Sequence, residues 1–358
     1  MDVADFDFDL PAGLIAQEPA ADRASSRLLH LARDSGKISH ALVSDLPEHL
    51  RRGDVLVVND TQVFPARLLG RRVPSGGAVE CLLIAGPIDA EDEGNGHRWE
   101  ALMHPGQKLK VGSRVIFEGA GASLHGEVVA RGSFGRRVIR LWTDLDSTVA
   151  AIDAAVDAIG HVPLPPYIKR GDRPEDRARY QTVFARQRGS VAAPTAGLHF
   201  TEAVLATLRD RGVEIAAITL HVGYGTFQPV RVERVEDHRL ETERFEIGES
   251  AADTINRALS EHRRVIGVGT TTTRTLEAVA IAHEGRLTAG VGTTDLFIYP
   301  GFRFRVIQGL ITNFHLPRSS LLMLVSAFAG RDRVLNAYAE AIDQKYRFYS
   351  YGDAMLIS

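Results

Sequence analysis

The chain has 358 residues, 44% hydrophobic and 24% charged, with a formal net charge of −3; it has the make-up of a soluble globular protein long enough for more than one domain. That charge balance excludes a global basic field for nucleic acid, so any such contact must come from a local patch. The one cysteine, Cys81, excludes a disulfide framework and a paired-cysteine metal knuckle, and suits a small core residue in a reducing compartment.

The acidic start MDVADFDFDLPAG lacks the apolar run of a secretory signal, and the longest apolar run, 321–329, is too short to span a bilayer. A soluble, cytoplasmic protein is expected. Residues 5–10 alternate acidic and apolar, the pattern of a half-buried edge strand. Arg23 and Arg27 lie four apart and either share a helical face or flank a loop. Residues 55–58 read as a buried strand ending in the polar loop Asn59-Asp60-Thr61.

After Gln62 the pattern changes to six short β runs, near 66–69, 79–84, 99–103, 114–117, 123–129 and 138–142, separated by Gly and Pro turns. This predicts a small β-barrel, residues 62–149, inserted into a discontinuous α/β domain made of 1–61 and 150–358. Between 62 and 140 there are eleven Lys or Arg against eight Asp or Glu, four of the acids lying in the loop 89–93. The rest of the insert is therefore basic. Arg67, Arg71, Arg136 and Arg137, with Arg72, Arg131 and Arg140, form either a binding patch or a solvated barrel surface.

Residues 148–159 read as a helix, and the Pro-rich loop 161–167 that follows cannot be helical. A second helix is predicted over 177–185. Next come apolar 191–193, a polar loop 194–200, a helix from Thr201 as N-cap to 211, a buried strand 213–220, and a polar loop 221–227. This order is the βαβ grammar of a parallel sheet, and it sets both loops at strand carboxyl ends, where α/β folds build their sites. Downstream are a helix 250–262, a strand 265–268 opening into a helix that runs to 282, a strand 304–312 ending at Asn313-Phe314-His315, and closing helices 319–328 and 332–346. Strand followed by helix recurs often enough to suggest an α/β fold with a barrel-like domain rather than a plain Rossmann sheet.

Three features carry candidate chemistry. Gly269, Thr270 and Thr271 begin a helix, where free N–H groups, the dipole and hydroxyls favour an anion; the same residues also make an ordinary tight turn and cap. His199, His221 and His315 recur at the predicted rim without metal-ligand spacing, so proton transfer or structural hydrogen bonding is expected and a metal is not. Phe200, Tyr224, Phe227 and Phe314 beside them stack on a base or pack the core. Residues 237–243 carry carboxylates that either balance a cationic ligand or face solvent.

FDLPAGLIAQEP, RASSRLL, VVNDTQVFPARLLG, HVPLPPYI, RYQTVFA, APTAGLHFT, LHVGYGTFQPV, GTTTTRTLE, DLFIYPGF and TNFHLPRSSLLMLVSAFAG occur in this order. At these motifs the chain resembles, nearly end to end, the S-adenosylmethionine:tRNA ribosyltransferase-isomerase family of queuosine biosynthesis. Where that family often has His-x-Met-His-x-Glu, this chain has His238-Arg239-Leu240-Glu241-Thr242-Glu243, so only His238 and Glu243 carry over.

The resemblance implies the two-part architecture and a reaction. The ribosyl part of S-adenosylmethionine, a co-substrate, moves to 7-aminomethyl-7-deazaguanine at the tRNA wobble position, with loss of adenine and methionine and without a metal. A sulfonium acidifies the neighbouring C5′ hydrogens, so His199, His221 or a nearby carboxylate is the hypothetical base. The expected site is His199, His221 and Glu243 for catalysis. Thr195, Gly197, Tyr224, Thr226, Gly269, Thr270, Thr271, Arg274, Asn313 and His315 are expected to hold substrate, the helix start taking the methionine carboxylate or a tRNA phosphate. Arg67, Arg71, Arg136 and Arg137 are expected to hold tRNA. His199, His221, Thr271 and His315 are expected to share one pocket. The family suggests a monomer. A non-catalytic RNA-binding adaptor and an α/β enzyme acting on a small phosphosugar are the rival readings.

Overall fold

The structure, a computed structural model, describes residues 1–88, 96–133, 135–144, 147–227 and 230–358, with the backbone alone for Thr226 and Phe227. The acidic loop 89–93 lies outside the described residues. Nine strands form one mixed sheet, in the spatial order Gly290–Thr294, Glu243–Ile247, Glu214–Leu220, Val55–Asn59, Val265–Val268, Gly309–Asn313, Ala354–Ile357, Arg27–Leu31 and Ile38–Leu42. The four strands from Glu214–Leu220 to Gly309–Asn313 run parallel, with antiparallel neighbours on both sides. Their near-continuous apolar sequences suit strands covered on both faces. Val55 and Val57 pack with Ile255, Leu276 and Met323 on one face; Leu56 and Val58 pack with Val204, Leu205 and Leu208 on the other.

Parallel direction has one consequence for function: all four carboxyl ends lie on a single edge of the sheet. Asn59-Asp60-Thr61, His221, Gly269-Thr270 and Asn313 follow or close those four strands.

The other half of the predicted fold is a closed antiparallel barrel of six strands, Arg67–Val73, Ala78–Ala85, His97–His104, Arg114–Gly119, Ala122–Arg131 and Arg136–Trp142. Period-two burial fills it, with Val79, Cys81 and Leu83 meeting Trp99, Ala101 and Met103 inside. Cys81 is buried there, and burial pushes its thiol well above the usual range. The helix Val149–Ile159 packs Ile152 and Val156 into the same core.

Four predicted elements differ, two of them because side chains took over main-chain hydrogen bonding. Residues 5–10 form no strand: Val3–Phe6 is a short 3₁₀ turn, with Phe6 buried and the Phe8 ring 5.3 Å from that of Tyr338. The helix predicted over 177–185 stops after Asp176–Arg179, and Gln181 then imitates a strand, its Oε1 accepting from Val63 N at 3.1 Å and its Nε2 donating to Val63 O at 2.6 Å. The strand before loop 194–200 is Gln187–Ser190, paired with Thr61–Val63 in a separate two-stranded sheet, so that stretch is not a βαβ unit of the large sheet. The strand predicted over 304–312 is Gly309–Asn313 alone, because the fully buried Glu277 carboxylate accepts the backbone N–H groups of Arg305, Val306 and Ile307 at 2.7, 3.0 and 3.1 Å.

Glu277→Ala strands those three N–H groups. It is expected to lower stability by about 3 kcal/mol, read as a shift in the urea midpoint.

Candidate active site

A cavity of 1130 Å³ lies where the barrel meets the Pro-rich loop and the segments beyond the sheet edge. It is large enough for a nucleoside with room to spare, since ligand pockets usually span roughly 300–1,000 Å³. Arg67, Glu80 and Arg136 enter from barrel strands, Pro163 to Pro166 form one wall, and Tyr224 and Glu241 face them. The two barrel cations are matched. Arg67 pairs with Glu80 at 2.7 Å. Arg136 reaches from the barrel to Glu241, and Glu100 lies 3.7 Å from it on a neighbouring barrel strand.

Glu241 also lines a second, smaller cavity of 30 Å³, together with Glu243 and Arg274. Both of these charges are buried, at 6% and 4% exposure. Arg274 Nη2 donates to Glu243 Oε2, and Glu243 Oε1 accepts from Gly223 N at 3.1 Å. Burial of such a pair is tolerated because each charge compensates the other.

At the sheet edge, Asn313 joins loop 194–200 to the end of its strand. Thr195 Oγ1 donates to Asn313 Oδ1 at 3.1 Å, and Asn313 Nδ2 lies 3.0 Å from His199 Nε2 and 3.1 Å from Tyr349 O. The amide donates, so His199 Nε2 accepts and its proton sits on Nδ1. Burial pushes the His199 pKa down to about 4, opposed by Asp353. The ring is neutral near pH 7 and lines a 20 Å³ cavity with Arg23, Ser26 and Tyr351.

His221 occupies a separate place. Its Nδ1 is 3.0 Å from Thr61 Oγ1, which is 2.7 Å from Ser190 Oγ, and Ser190 Oγ accepts from Val222 N at 2.8 Å. The ring lies against Gly189, where a Cβ would come within 2.6 Å of it and where φ is +153°. Burial, with Arg244, lowers the His221 pKa, while Asp60 and Glu246 oppose. The side chain is half-buried rather than sealed.

Several expected site residues have other work. His315 Nε2 is 2.8 Å from Thr312 Oγ1, burial drives its pKa to about 3, and it lines none of the cavities described; the structure makes it a core histidine. The start of the helix Thr270–Ala282 is closed over. Thr270 and Thr271 are buried, Gly269 (φ +89°) lies beneath Ala196, and Thr272 and Thr273 turn their hydroxyls onto carbonyls of the preceding turn. None of the three cavities described reaches them, although the Thr271 hydroxyl is buried without a hydrogen-bond partner among the described residues. A Cβ on Gly197 would come within 2.7 Å of Phe184, so that glycine serves close packing. Arg137 is 3% exposed and donates inward to Leu109 O at 3.1 Å and Arg136 O at 2.6 Å; it is a barrel residue, not a surface cation. Arg71 is exposed, pairs with Glu118 at 2.7 Å, and does not line the cleft. The Thr226 side chain lies outside the described residues.

The structure thus brings Tyr224, Arg67 and Arg136 together, joins Glu243 to Arg274 and Thr195 to His199 and Asn313, and leaves His199, His221, Thr271 and His315 without a common cavity among those described. Sequence reasoning missed Thr61, Gly189 and Ser190 around His221, and the Arg136–Glu241 bridge. The polar step Asn59-Asp60-Thr61 after an apolar strand was the one visible signal.

A nucleoside-sized cleft with several arginines in its wall, set between a closed barrel and the Pro-rich loop, marks an α/β protein that carries a β-barrel. The chain belongs to the queuosine biosynthesis protein family, whose model matches residues 3–357. It is 50% identical over 357 residues to the S-adenosylmethionine:tRNA ribosyltransferase-isomerase of Moorella thermoacetica, and equally to that of Heliobacterium modesticaldum, covering 100% of each chain. Among solved structures it is similar to the S-adenosylmethionine tRNA ribosyltransferase of Thermotoga maritima, with 36% identity, a TM-score of 0.55, and coverage of 99% of this chain and 100% of that one.

Asn313→Asp places a carboxylate beside His199. It is expected to raise the titration midpoint of that ring from about 4 by roughly two pH units, because a nearby negative charge favours imidazolium; an NMR titration of the imidazole signals reads this.

Proposed function

We infer that this chain is an enzyme of queuosine biosynthesis. It transfers and isomerises the ribosyl moiety of S-adenosylmethionine onto 7-aminomethyl-7-deazaguanine at the tRNA wobble position. Epoxyqueuosine-tRNA forms, and adenine and methionine leave. One observation carries the reading: the match to enzymes of that name runs the full length of both chains at half identity. S-adenosylmethionine is the co-substrate and tRNA the macromolecular partner. The protein works in the cytoplasm as a monomer; no helix among the described residues is long and apolar enough to cross a membrane. The chain divides into an insert, 62–149, and a discontinuous α/β domain, 1–61 with 150–358, a division supported by the six barrel strands falling within 67–142.

The first step removes a proton from C5′ beside the positive sulfur. His221 suits the base: its ring is half-buried, lowered in pKa and therefore neutral near pH 7, and oriented through Nδ1 by Thr61. His199 suits it less, being sealed at 4% exposure with Nε2 engaged by Asn313; it acts by holding loop 194–200. Glu243, paired with Arg274, suits charge balance beside a sulfonium. No step in this scheme calls on a metal. Tyr224 offers a stacking face for the unpaired wobble base, and Arg67 and Arg136 at the cleft meet the anionic backbone around it.

Incubation with S-adenosylmethionine and tRNA carrying the 7-aminomethyl base should release free adenine; an adaptor, or an enzyme acting on phosphosugars, would release none. His221→Ala is expected to lower turnover by about 10²-fold or more. In the unaltered enzyme, activity should hold level above pH 7 and decline on acidification below the ordinary histidine value of 6.5, as the ring takes up its proton. Near-normal turnover in His221→Ala would remove it from the role of base. Arg67→Gln and Arg136→Gln should each weaken tRNA binding and reduce the slope of log affinity against log salt by roughly one, measured by filter binding across a salt series.

A further inference from the structure

We propose that the small cavity behind Glu241 receives the α-carboxylate of an amino-acid group, here the methionine end of the sulfonium co-substrate, and that Arg274 holds it. The proposal rests on the functional reading above and adds the ligand group and its receptor.

Arg274 lies on the helix Thr270–Ala282 and is 4% exposed. One of its nitrogens, Nη2, is committed to Glu243, while Nε and Nη1 are buried without a hydrogen-bond partner among the described residues. Buried donors left unmatched are uncommon in native structures and call for an explanation. Arg274 also lines the small cavity. Its planar donors match a carboxylate.

A second feature points the same way. Ser320 and Leu321, the first two residues of the ten-residue helix Ser320–Ala329, line the same cavity. The cap hydroxyl of Ser319 accepts from Leu322 N at 3.2 Å, while the N–H groups of the first two positions have no intrahelical acceptor. Positive dipole and guanidinium therefore converge on one small space.

The charges around it choose among anions. Glu241 and Glu243 stand in the wall, so a phosphate dianion meets two carboxylates, whereas an α-amino acid presents a single negative charge beside an ammonium that carboxylates favour. Leu240, Phe297 and Leu324 give the same cavity an apolar side, suited to a methylene stem. Gly225 makes the wall possible, since a Cβ there would come within 2.8 Å of Glu241 Oε2. A volume of 30 Å³ is more than the roughly 10–15 Å³ needed by one water; it admits a carboxylate head but not a nucleoside. Glu241 borders both cavities, so the remainder of the ligand extends into the cleft. The closed start of the helix Thr270–Ala282 thus yields its expected carboxylate to a residue one turn further along.

Isothermal titration of the full chain, without tRNA, tests this with two probes: S-adenosylmethionine and its decarboxylated analogue, which keeps the sulfonium, the ammonium and the adenosine. The unaltered protein should bind the carboxylated compound roughly tenfold to hundredfold more tightly. Arg274→Gln should bind the two within about threefold. Because that variant removes the cation paired with the buried Glu243, the paired change Arg274→Gln with Glu243→Gln, neutral at both positions, carries the same expectation in a fold relieved of that charge. Equal affinity of the unaltered protein for both probes, or a preference retained in the paired variant, overturns the proposal while the functional reading stands. Failure of the unaltered protein to bind S-adenosylmethionine, both alone and with tRNA lacking the 7-aminomethyl base present, overturns both.

Discussion

The constraint on which the site depends is the shared direction of four strands. Glu214–Leu220, Val55–Asn59, Val265–Val268 and Gly309–Asn313 are hydrogen-bonded in parallel, and a parallel ladder buried on both faces leaves polar chemistry no place except the strand ends. Thr61 and His221 are brought together by that geometry rather than by proximity in the chain, and Asn313 closes another strand on the same edge. Loop 194–200 belongs to no strand of this sheet, yet Asn313 ties it to the same edge through Thr195 and His199. The sheet supplies the platform, and the loop is fastened to it by one amide.

Charge is handled by matching. Arg67 with Glu80, Arg136 with Glu241 and Arg274 with Glu243 set carboxylates against three of the cations around the two cavities. Such pairs contribute little to stability when exposed. Around a cleft they have another effect: an incoming anion must compete with a fixed partner. A chain of net charge −3 can in this way present local cations to a polyanion without an overall basic field.

Much of this was legible in the residues. Short β runs separated by Gly and Pro turns pointed to a six-stranded insert, and apolar runs ending in Asn, His, Gly and Thr pointed to the strand ends. What stayed hidden was hydrogen bonding by side chains that replace main chain. Glu277 satisfying three consecutive N–H groups turns the apparent strand at 304–308 into a clasp, and Gln181 imitates a strand partner where helical spacing suggested a helix. Nothing in a one-dimensional pattern separates these residues from solvated ones. The same limit explains His315 and Arg137, whose types suggest chemistry while their surroundings are core. It also explains Thr61 and Ser190, which look like ordinary loop hydroxyls until the fold brings His221 against them.

The closed barrel carries a last implication. Circular pairing of its six strands leaves no row of main-chain donors and acceptors exposed along a side, so changes to its outer side chains do not invite another chain to add a strand. The nine-stranded sheet lacks that protection at Gly290–Thr294 and Ile38–Leu42, its terminal members, where Val291 is 59% exposed. The hazard of self-association by strand addition therefore falls on the two ends of the larger sheet rather than on the insert.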